Sequence, residues 1–184
     1  MQRIDEPLSS FPADWCTEFH IAVQEGREAR VVQMIQHGAD VNALDSNGLT
    51  PLFRLLHMQE YRSSFRITTA EVLLKNGALP NAKDPSTGES CIHNASLFAM
   101  HDLLEILIKN GGDVRLKAYG GTTPLHHAFS SRDPKECIKT LSLLIEAGAE
   151  IEVRDTGGVT PMEIARKHGN AEVIEYLKSH QRKP

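Results

Sequence analysis

The sequence predicts an all-α solenoid of about five stacked helix-turn-helix units with hairpin-like finger turns. Three observations support this: a Thr-Pro-type motif recurs five times, a Gly-containing turn recurs four times, and short apolar stripes accompany both motifs. Motifs that recur at a period of about 33 residues indicate a repeat architecture. A single helical hairpin cannot bury both of its apolar faces, so neighbouring units must stack.

The first motif marks the start of one helix in each unit. It reads TTPLHHAF, LTPLFRLL and VTPMEIAR in its clearest copies, and ESCIHNAS and CTEFHIAV in the divergent ones. A Thr or Ser before the first helical residue is a common N-cap, and Pro is favoured at the first helical position. The capping residues are 33, 40, 33 and 37 residues apart, at Thr17, Thr50, Ser90, Thr123 and Thr160.

The second motif marks the end of the second helix. It reads HGADVNA, NGALPNA, NGGDVRL and AGAEIEV, and follows each of the first four copies of the first motif. A glycine directly after a helix commonly adopts a positive φ, which other residues adopt reluctantly. We expect that conformation at Gly38, Gly77, Gly111 and Gly148. The polar residues that follow each motif predict the finger turns.

Together, the Thr-Pro-Leu-His motif and the Gly-Ala-Asp-Val-Asn-Ala turn resemble the ankyrin repeat. The resemblance covers residues 14–180 as one domain, with an N-terminal extension at 1–13 and a basic tail at 181–184. The expected repeats are about 14–44, 45–83, 84–117, 118–154 and 155–180.

The two terminal units depart from the pattern in ways that suit caps. The first has Glu18 in place of Pro, and the last has Glu163 where the family usually has His. In the last helix, Glu172, Glu175 and Lys178 predict a polar outer face. In the middle of the array we expect Leu107 and Leu143 to lie in the core between helices.

Composition narrows the class of partner. The chain has 184 residues and a net charge of −4, and its one basic cluster is the tail KSHQRKP. Nucleic acid is therefore not the expected partner. Three scattered cysteines favour neither a disulfide framework nor a zinc site. No run of apolar residues is as long as the apolar core of a signal peptide or a membrane span. We expect a cytoplasmic monomer, with export by a non-classical route left open.

No catalytic constellation stands out, so we expect no enzyme, no cofactor, no metal and no small-molecule substrate. Three histidines occupy the same repeat position: His20, His93 and His126. A metal site would need them together, but they lie in separate units. The resemblance implies that each bonds the neighbouring finger instead. His126 and His127 are adjacent on one helix and do not share a face.

Repeats 2 and 4 carry about six and four extra residues between their helices. One interpretation is a tolerated surface loop, since closing a longer loop costs little extra free energy. The other is a partner-binding protrusion with aromatic and basic anchors, at Tyr61, Arg62, Phe65 and Arg66.

The resemblance implies a concave groove that binds a protein partner through the fingers and the ends of the first helices. An apolar centre is expected at Met58, Leu97, Phe98 and Tyr119. The alternative is that Ala99-Met100, in place of the usual Gly-His, shifts the helix and buries Phe98. The whole set of expected partner-binding residues is Asn47, Leu49, His57, Met58, Tyr61, Arg62, Phe65, Thr87, Glu89, Leu97, Phe98, Tyr119, Thr122, Ser130, Thr156, Lys167 and His168.

The leading functional hypothesis is a non-catalytic protein-interaction module that serves as an adaptor, scaffold or inhibitor. A second hypothesis is a bacterial effector that is delivered into a host cell and binds a host protein. A third is a substrate of asparagine hydroxylation at Asn42 and Asn81, as the resemblance implies. An enzyme hidden in the insertions is disfavoured, since few residues lie outside the repeats.

Overall fold

The computed structural model describes residues 15–56 and 63–181, and within them the chain forms ten helices. They come in five consecutive pairs, and we call the first helix of each pair inner and the second outer. The inner helices are α1 Trp15–Gln24, α3 Pro51–Leu55, α5 Cys91–Leu97, α7 Pro124–His127 and α9 Pro161–His168; the outer helices are α2 Glu28–Gln36, α4 Ser63–Lys75, α6 His101–Lys109, α8 Pro134–Glu146 and α10 Ala171–His180.

The pairs stack along one direction. Outer helices pack in sequence, α2 on α4, α4 on α6, α6 on α8 and α8 on α10. Inner helices pack on their neighbours too, as α1 does on α3, and α5 and α9 both do on α7. The expected all-α solenoid of stacked helical hairpins is therefore confirmed.

Four inner helices begin as the sequence motif predicts. Thr50, Ser90, Thr123 and Thr160 are N-caps with extended backbone, and Pro follows in three of the four units. The first inner helix differs, because α1 begins at Trp15, two residues before Thr17. Without a proline at position 18, nothing in the local sequence stops the helix from starting earlier.

The glycines after the first four outer helices have φ of 89°, 90°, 86° and 93° at Gly38, Gly77, Gly111 and Gly148. This confirms the prediction that each ends its helix in a left-handed conformation. In the described chain, Ala99 is the one residue other than glycine with a positive φ, at 49°. It takes the place that Gly26 and Gly169 occupy, nine residues after the N-cap position in their own repeats.

The extra residues of repeats 2 and 4 largely lengthen the outer helices. The outer helix of repeat 3 has 9 residues, whereas α4 and α8 each have 13. Four residues are about one helical turn. Counting back from the closing glycines places the added turn at the start of each helix, at 63–66 in α4 and 134–137 in α8. Asp133 caps the added turn of α8 by accepting a hydrogen bond from Lys135 N at 2.9 Å.

The core runs between the inner and outer helices. One residue in each of the first four outer helices, four positions before the closing glycine, is fully buried: Met34, Leu73, Leu107 and Leu144. The expectation for Leu143 is therefore wrong, because that side chain is only partly buried and Leu144 takes the core position. At the end of the array, Glu172, Glu175 and Lys178 are exposed on α10, as a polar outer face requires.

We expect Leu107→Ala to lower the free energy of unfolding by about 2–5 kcal/mol, since it leaves a cavity between packed helices. The measurement is urea unfolding followed by circular dichroism. Leu143→Ala is the matched control: it removes the same atoms from a partly exposed side chain and should cost clearly less. Equal losses for the two variants would contradict this assignment of the core.

Candidate functional site

The candidate site is the surface formed by the fingers and the inner helices. The fingers are the turns at residues 43–50, 82–90, 116–123 and 153–160, which precede the inner helices of repeats 2 to 5. In three of them an aspartate accepts hydrogen bonds from backbone N–H groups two to four residues ahead. Asp45 accepts from Asn47 and Leu49, Asp84 from Ser86, and Asp155 from Val159.

Hydrogen bonds to the finger turns stabilise the ionised carboxylates of Asp45 and Asp84. Burial alone would raise the pKa of Asp45, but hydrogen bonds from Leu49, Arg54 and Asn47 outweigh it and lower the pKa. The same balance lowers the pKa of Asp84, where Ser86 donates from both its backbone and its hydroxyl. Each carboxylate therefore stabilises the turn of its own finger through these hydrogen bonds.

Successive fingers are bonded to one another. Tyr119 N donates to Thr87 O, and Thr156 N donates to Gly120 O, both at 3.0 Å. The Tyr119 hydroxyl also donates to Pro85 O at 3.2 Å, so this ring lies across the preceding finger. The fingers of repeats 3 to 5 thus form one continuous edge.

The three aligned histidines bond the finger of the following repeat. Nε2 lies 2.9 Å from Leu49 O in His20, 3.2 Å from Thr122 O in His93, and 3.2 Å from Val159 O in His126. The structural role expected for these residues is confirmed. In the last repeat, Glu163 instead exchanges hydrogen bonds with Thr160 and closes a capping box.

The other ring nitrogen of two histidines accepts from the helix start. Ser90 N donates to Nδ1 of His93, and Thr123 N donates to Nδ1 of His126, both at 3.1 Å. Because Nδ1 accepts, Nε2 must carry the hydrogen that bonds the finger carbonyl. Burial lowers the pKa of His93 to about 4, and it also lowers that of His126. Both rings are therefore neutral at pH 7.

The hydroxyls of Ser90 and Thr123 lie 3.0 and 2.9 Å from these same nitrogens. Such pairs can serve as nucleophile and base in enzymes. Here Ser90 and Thr123 are buried helix caps. Cys91, beside Ser90, is also buried, and burial raises the pKa of its thiol to about 12. None of these groups is presented to a substrate.

Between the fingers, the inner helices carry a row of polar contacts. Arg54 Nε lies 2.5 Å from Asp45 Oδ2. One repeat further, Asn94 donates to Glu89 Oε2 at 3.2 Å, and His127 Nε2 lies 3.7 Å from Glu89 Oε1. Burial lowers the pKa of His127, while the Glu89 carboxylate opposes that shift. The surface between these fingers and the inner helices of repeats 2 to 4, which we call the floor of the groove, therefore carries polar side chains.

At the C-terminal end the groove opens into a concavity of about 550 Å³. Its lining combines the last finger, at Val159, with the inner helix α9, at Ile164, Lys167 and His168. Arg154 Nη1 lies 3.9 Å from Glu163 Oε1 at this end. Apolar and basic side chains therefore border the same depression.

Most of the expected partner-binding residues reach the surface. Glu89, Leu97 and Thr122 are half-buried. Leu49 departs from the expectation: its side chain is buried and its carbonyl bonds His20. The expectations for His57, Met58, Tyr61 and Arg62 lie outside the described residues. The exposed ones are Asn47, Phe65, Thr87, Phe98, Tyr119, Ser130, Thr156, Lys167 and His168.

Phe98 is 53% exposed, so the alternative in which repeat 3 buries it is wrong. It is the C-cap of α5, and the left-handed Ala99 follows it. The turn is held from the next repeat, because the Ser130 hydroxyl donates to Leu97 O. An exposed aromatic ring therefore stands on a fixed backbone in the middle repeat.

The added turn of α4 contains two expected anchors, of which one is exposed and the other is buried. Phe65 is exposed, as a binding protrusion requires. Arg66 is buried instead, and its Nη1 lies 3.7 Å from Met100 Sδ in the next repeat. The interpretation of Arg66 as a surface anchor is therefore wrong, because its side chain joins two repeats.

Asn42 and Asn81 also join repeats. Asn42 donates to Gly77 O and accepts from Leu79 N, and Asn81 donates to Gly111 O and accepts from Asp113 N. Both amides thus fix one turn against the next. Their hydroxylation stays a prediction.

Sequence reasoning missed several exposed side chains on this surface. Leu44 is 58% exposed at the start of the first finger, and Ile21 is exposed on α1. Lys83, Lys117 and Arg154 occupy the position of Leu44 in the later fingers, and all three are exposed. An alignment of the four finger sequences would have shown that three of them have Lys or Arg at this position.

The described residues contain no group of three or more His, Cys, Asp or Glu side chains placed to hold a metal ion. None of their helices combines the length and the apolar character needed to cross a bilayer.

Family models match nearly the whole length of the chain. The model for ankyrin repeats in three copies matches residues 62–155 and 92–184, and the model for a single ankyrin repeat matches residues 14–46.

Curated relatives share part of this region. B-cell lymphoma 3 protein homolog of Mus musculus is 35% identical over 117 residues, which are 63% of this chain and 25% of that protein. NF-kappa-B inhibitor zeta of Mus musculus is 30% identical, over 62% of this chain and 20% of that protein. Rabankyrin-5 of Mus musculus is 28% identical, over 64% of this chain and 10% of that protein. The chain thus spans a quarter or less of these relatives.

We expect the free energy of unfolding to fall as the pH drops from about 6.5 to about 4. Burial holds the pKa of His93 near 4 in the folded chain, whereas an unfolded His titrates near 6.5. Between these values the unfolded state binds more protons, so acid favours unfolding, by up to about 1 kcal/mol per pH unit for each such His. Urea unfolding across this pH range measures the slope.

His93→Gln should lower stability at neutral pH and flatten the slope. His168→Gln, at an exposed His, should leave the slope as it is. A chain that gains stability on acidification, or a slope unaffected by His93→Gln, would contradict the assignment of a neutral, bonded His93.

Proposed function

Because the chain belongs to the ankyrin-repeat family, we propose that it is a non-catalytic module that holds a protein partner against its fingers and inner helices. The family is one of protein-interaction modules, and that much applies to this chain directly. The finer proposal is that the chain acts as an adaptor, scaffold or inhibitor. The proposed location of the chain and its partner is the cytoplasm.

The observation that carries the proposal is the pair of exposed aromatic rings at the middle of the array. Phe98 is 53% exposed and Tyr119 is 68% exposed, although both sit on backbone that neighbouring repeats hold in place. An exposed ring on fixed backbone loses little conformational entropy on binding. Aromatic residues are also enriched among the anchors of protein interfaces.

The surroundings of the rings suit a protein interface. Exposed polar residues are bonded to the chain at both rings: Thr87 O accepts from Tyr119 N, and the Ser130 hydroxyl donates to Leu97 O beside Phe98. A buried apolar centre within a polar rim is the usual arrangement of such interfaces. The polar floor adds groups that can select a partner by hydrogen bonding.

One relative lends weight to the inhibitor form of the proposal. NF-kappa-B inhibitor zeta is named as an inhibitor of another protein, and its similar region covers 62% of this chain. An inhibitor needs a surface that binds and no chemistry. The histidines and hydroxyls described above have structural partners within the array, which is consistent with that role.

We expect Phe98→Ala and Tyr119→Ala each to weaken partner binding by about 1–2 kcal/mol or more, since each removes an exposed anchor. Their effect on the free energy of unfolding should be small, at about 0.5 kcal/mol for the Phe98 change. Capture of partners from native lysate, with quantitative mass spectrometry, measures the first effect. Urea unfolding measures the second.

Leu79→Ala is the matched control, because Leu79 is 56% exposed but lies in the turn behind outer helix α4. It should leave partner capture unchanged. Should Leu79→Ala abolish capture while Phe98→Ala and Tyr119→Ala do not, the partner binds the other side of the array and the proposal fails.

A further inference from the structure

Three of the four fingers carry a cation at the same position. Lys83, Lys117 and Arg154 each begin the turn of their finger, and each is exposed. The first finger has the exposed Leu44 there instead. We call these four residues the finger row. A line of three cations is unexpected on a chain whose net charge is −4.

The cations of the finger row are only weakly neutralised by the protein. Lys83 Nζ donates to Lys117 O at 2.8 Å, a contact with a neutral carbonyl on the next finger. Arg154 Nη1 donates to Gly158 O at 2.6 Å and lies 3.9 Å from Glu163 Oε1, with both side chains largely exposed. Within the described residues, the Lys117 ammonium forms neither an ion pair nor a hydrogen bond.

The neighbouring carboxylates have other partners. Asp84 directly follows Lys83 but accepts from the backbone and hydroxyl of Ser86, both at 2.7 Å. Asp155 follows Arg154 and accepts from Val159 N at 2.8 Å. These carboxylates accept from their own turns and form no ion pair with Lys83 or Arg154 among the described contacts, so the ends of the three cationic side chains remain available to a partner.

The finger row has a regular spacing set by the stacking of the repeats. Helices in contact lie about 8–10 Å apart, and an extended polyproline II segment rises about 3.1 Å per residue with three residues per turn, so that every third side chain lies on the same face. One finger therefore corresponds to about three residues of an extended segment. Backbone hydrogen bonds between fingers hold this spacing, as between Tyr119 and Thr87 and between Thr156 and Gly120.

We propose that the finger row binds an acidic segment of the protein partner, extended across the fingers of repeats 2 to 5 with its acidic residues on those of repeats 3 to 5. The segment has an acidic residue at about every third position, facing Lys83, Lys117 and Arg154. An apolar residue at one end contacts Leu44. This inference rests on the proposed function, because it names the chemistry of the partner that the array holds.

A polypeptide fits the finger row better than a nucleic acid does. Nucleic-acid affinity comes largely from many phosphate contacts, which an overall negative protein opposes. The apolar Leu44 also has no match on a phosphate backbone.

The test uses two labelled peptides of about twelve residues, enough to span the row. One has Glu at every third position and a terminal Leu, and the other has Gln in place of each Glu. Fluorescence anisotropy with the full chain measures their affinities. We expect the Glu peptide to bind about tenfold more tightly, the sum of three exposed ion pairs. We also expect this preference to fade at high salt.

The triple variant Lys83→Gln, Lys117→Gln, Arg154→Gln should remove the preference. The matched control, Lys75→Gln, Lys109→Gln, Lys139→Gln, makes the same change in charge on exposed positions of outer helices α4, α6 and α8 and should keep it. Circular dichroism confirms that both variants fold. If the triple variant does not fold, the salt dependence and the Glu–Gln comparison on the unaltered chain still decide.

Two results would overturn the inference: equal affinity for the two peptides, or tighter binding of a single-stranded oligothymidylate than of the Glu peptide. Either would leave the proposed function standing if Phe98→Ala still weakens capture of a partner. If Phe98→Ala has no effect but the Glu preference is present and lost in the triple variant, the proposed groove centre fails while the finger row remains.

Discussion

The structure depends on apolar helix faces that no single repeat can cover. Leu52, Ile92 and Leu125 are fully buried on three inner helices, and Leu73, Leu107 and Leu144 are fully buried on three outer ones. Each pair of helices hides one side of its neighbour, so removing water from these faces drives the stacking. The polar bonds between repeats then set the register. His20, His93 and His126 each hydrogen-bond a carbonyl of the following finger.

The scaffold also uses side chains of types that can transfer protons. Burial keeps His93 and His126 neutral between a helix start and a finger, and it keeps the buried Cys91 as a thiol. Groups that could transfer protons are thereby committed to the scaffold. The exposed side chains on the fingers and at the ends of the inner helices, among them Phe98 and Lys117, stand on backbone that a neighbouring repeat contacts. Such pre-ordering lowers the entropy that binding costs.

The fold could be predicted from the sequence because spacing and turn chemistry act locally. A glycine after each of the first four outer helices, and a His three residues after the cap position in three of the five repeats, can be recognised with little knowledge of the neighbours. The details that depend on packing could not be predicted from such local signals. Leu49 and Val159 occupy the same finger position, yet the first is buried and the second exposed. Arg66 lies in an inserted segment but folds inward against Met100, because the insertion adds a helical turn. Leu144 could have been chosen over Leu143 by counting back from Gly148.

The central claim is that a partner binds the side of the array made by the fingers and the inner helices. Hydrogen exchange followed by mass spectrometry, on the chain alone and bound to the partner recovered by capture, tests it most directly. The account predicts added protection in the fingers at 82–90, 116–123 and 153–160 and around Phe98, with outer helices α6 and α8 unchanged. Protection concentrated on α6 and α8, with the fingers unchanged, would contradict it.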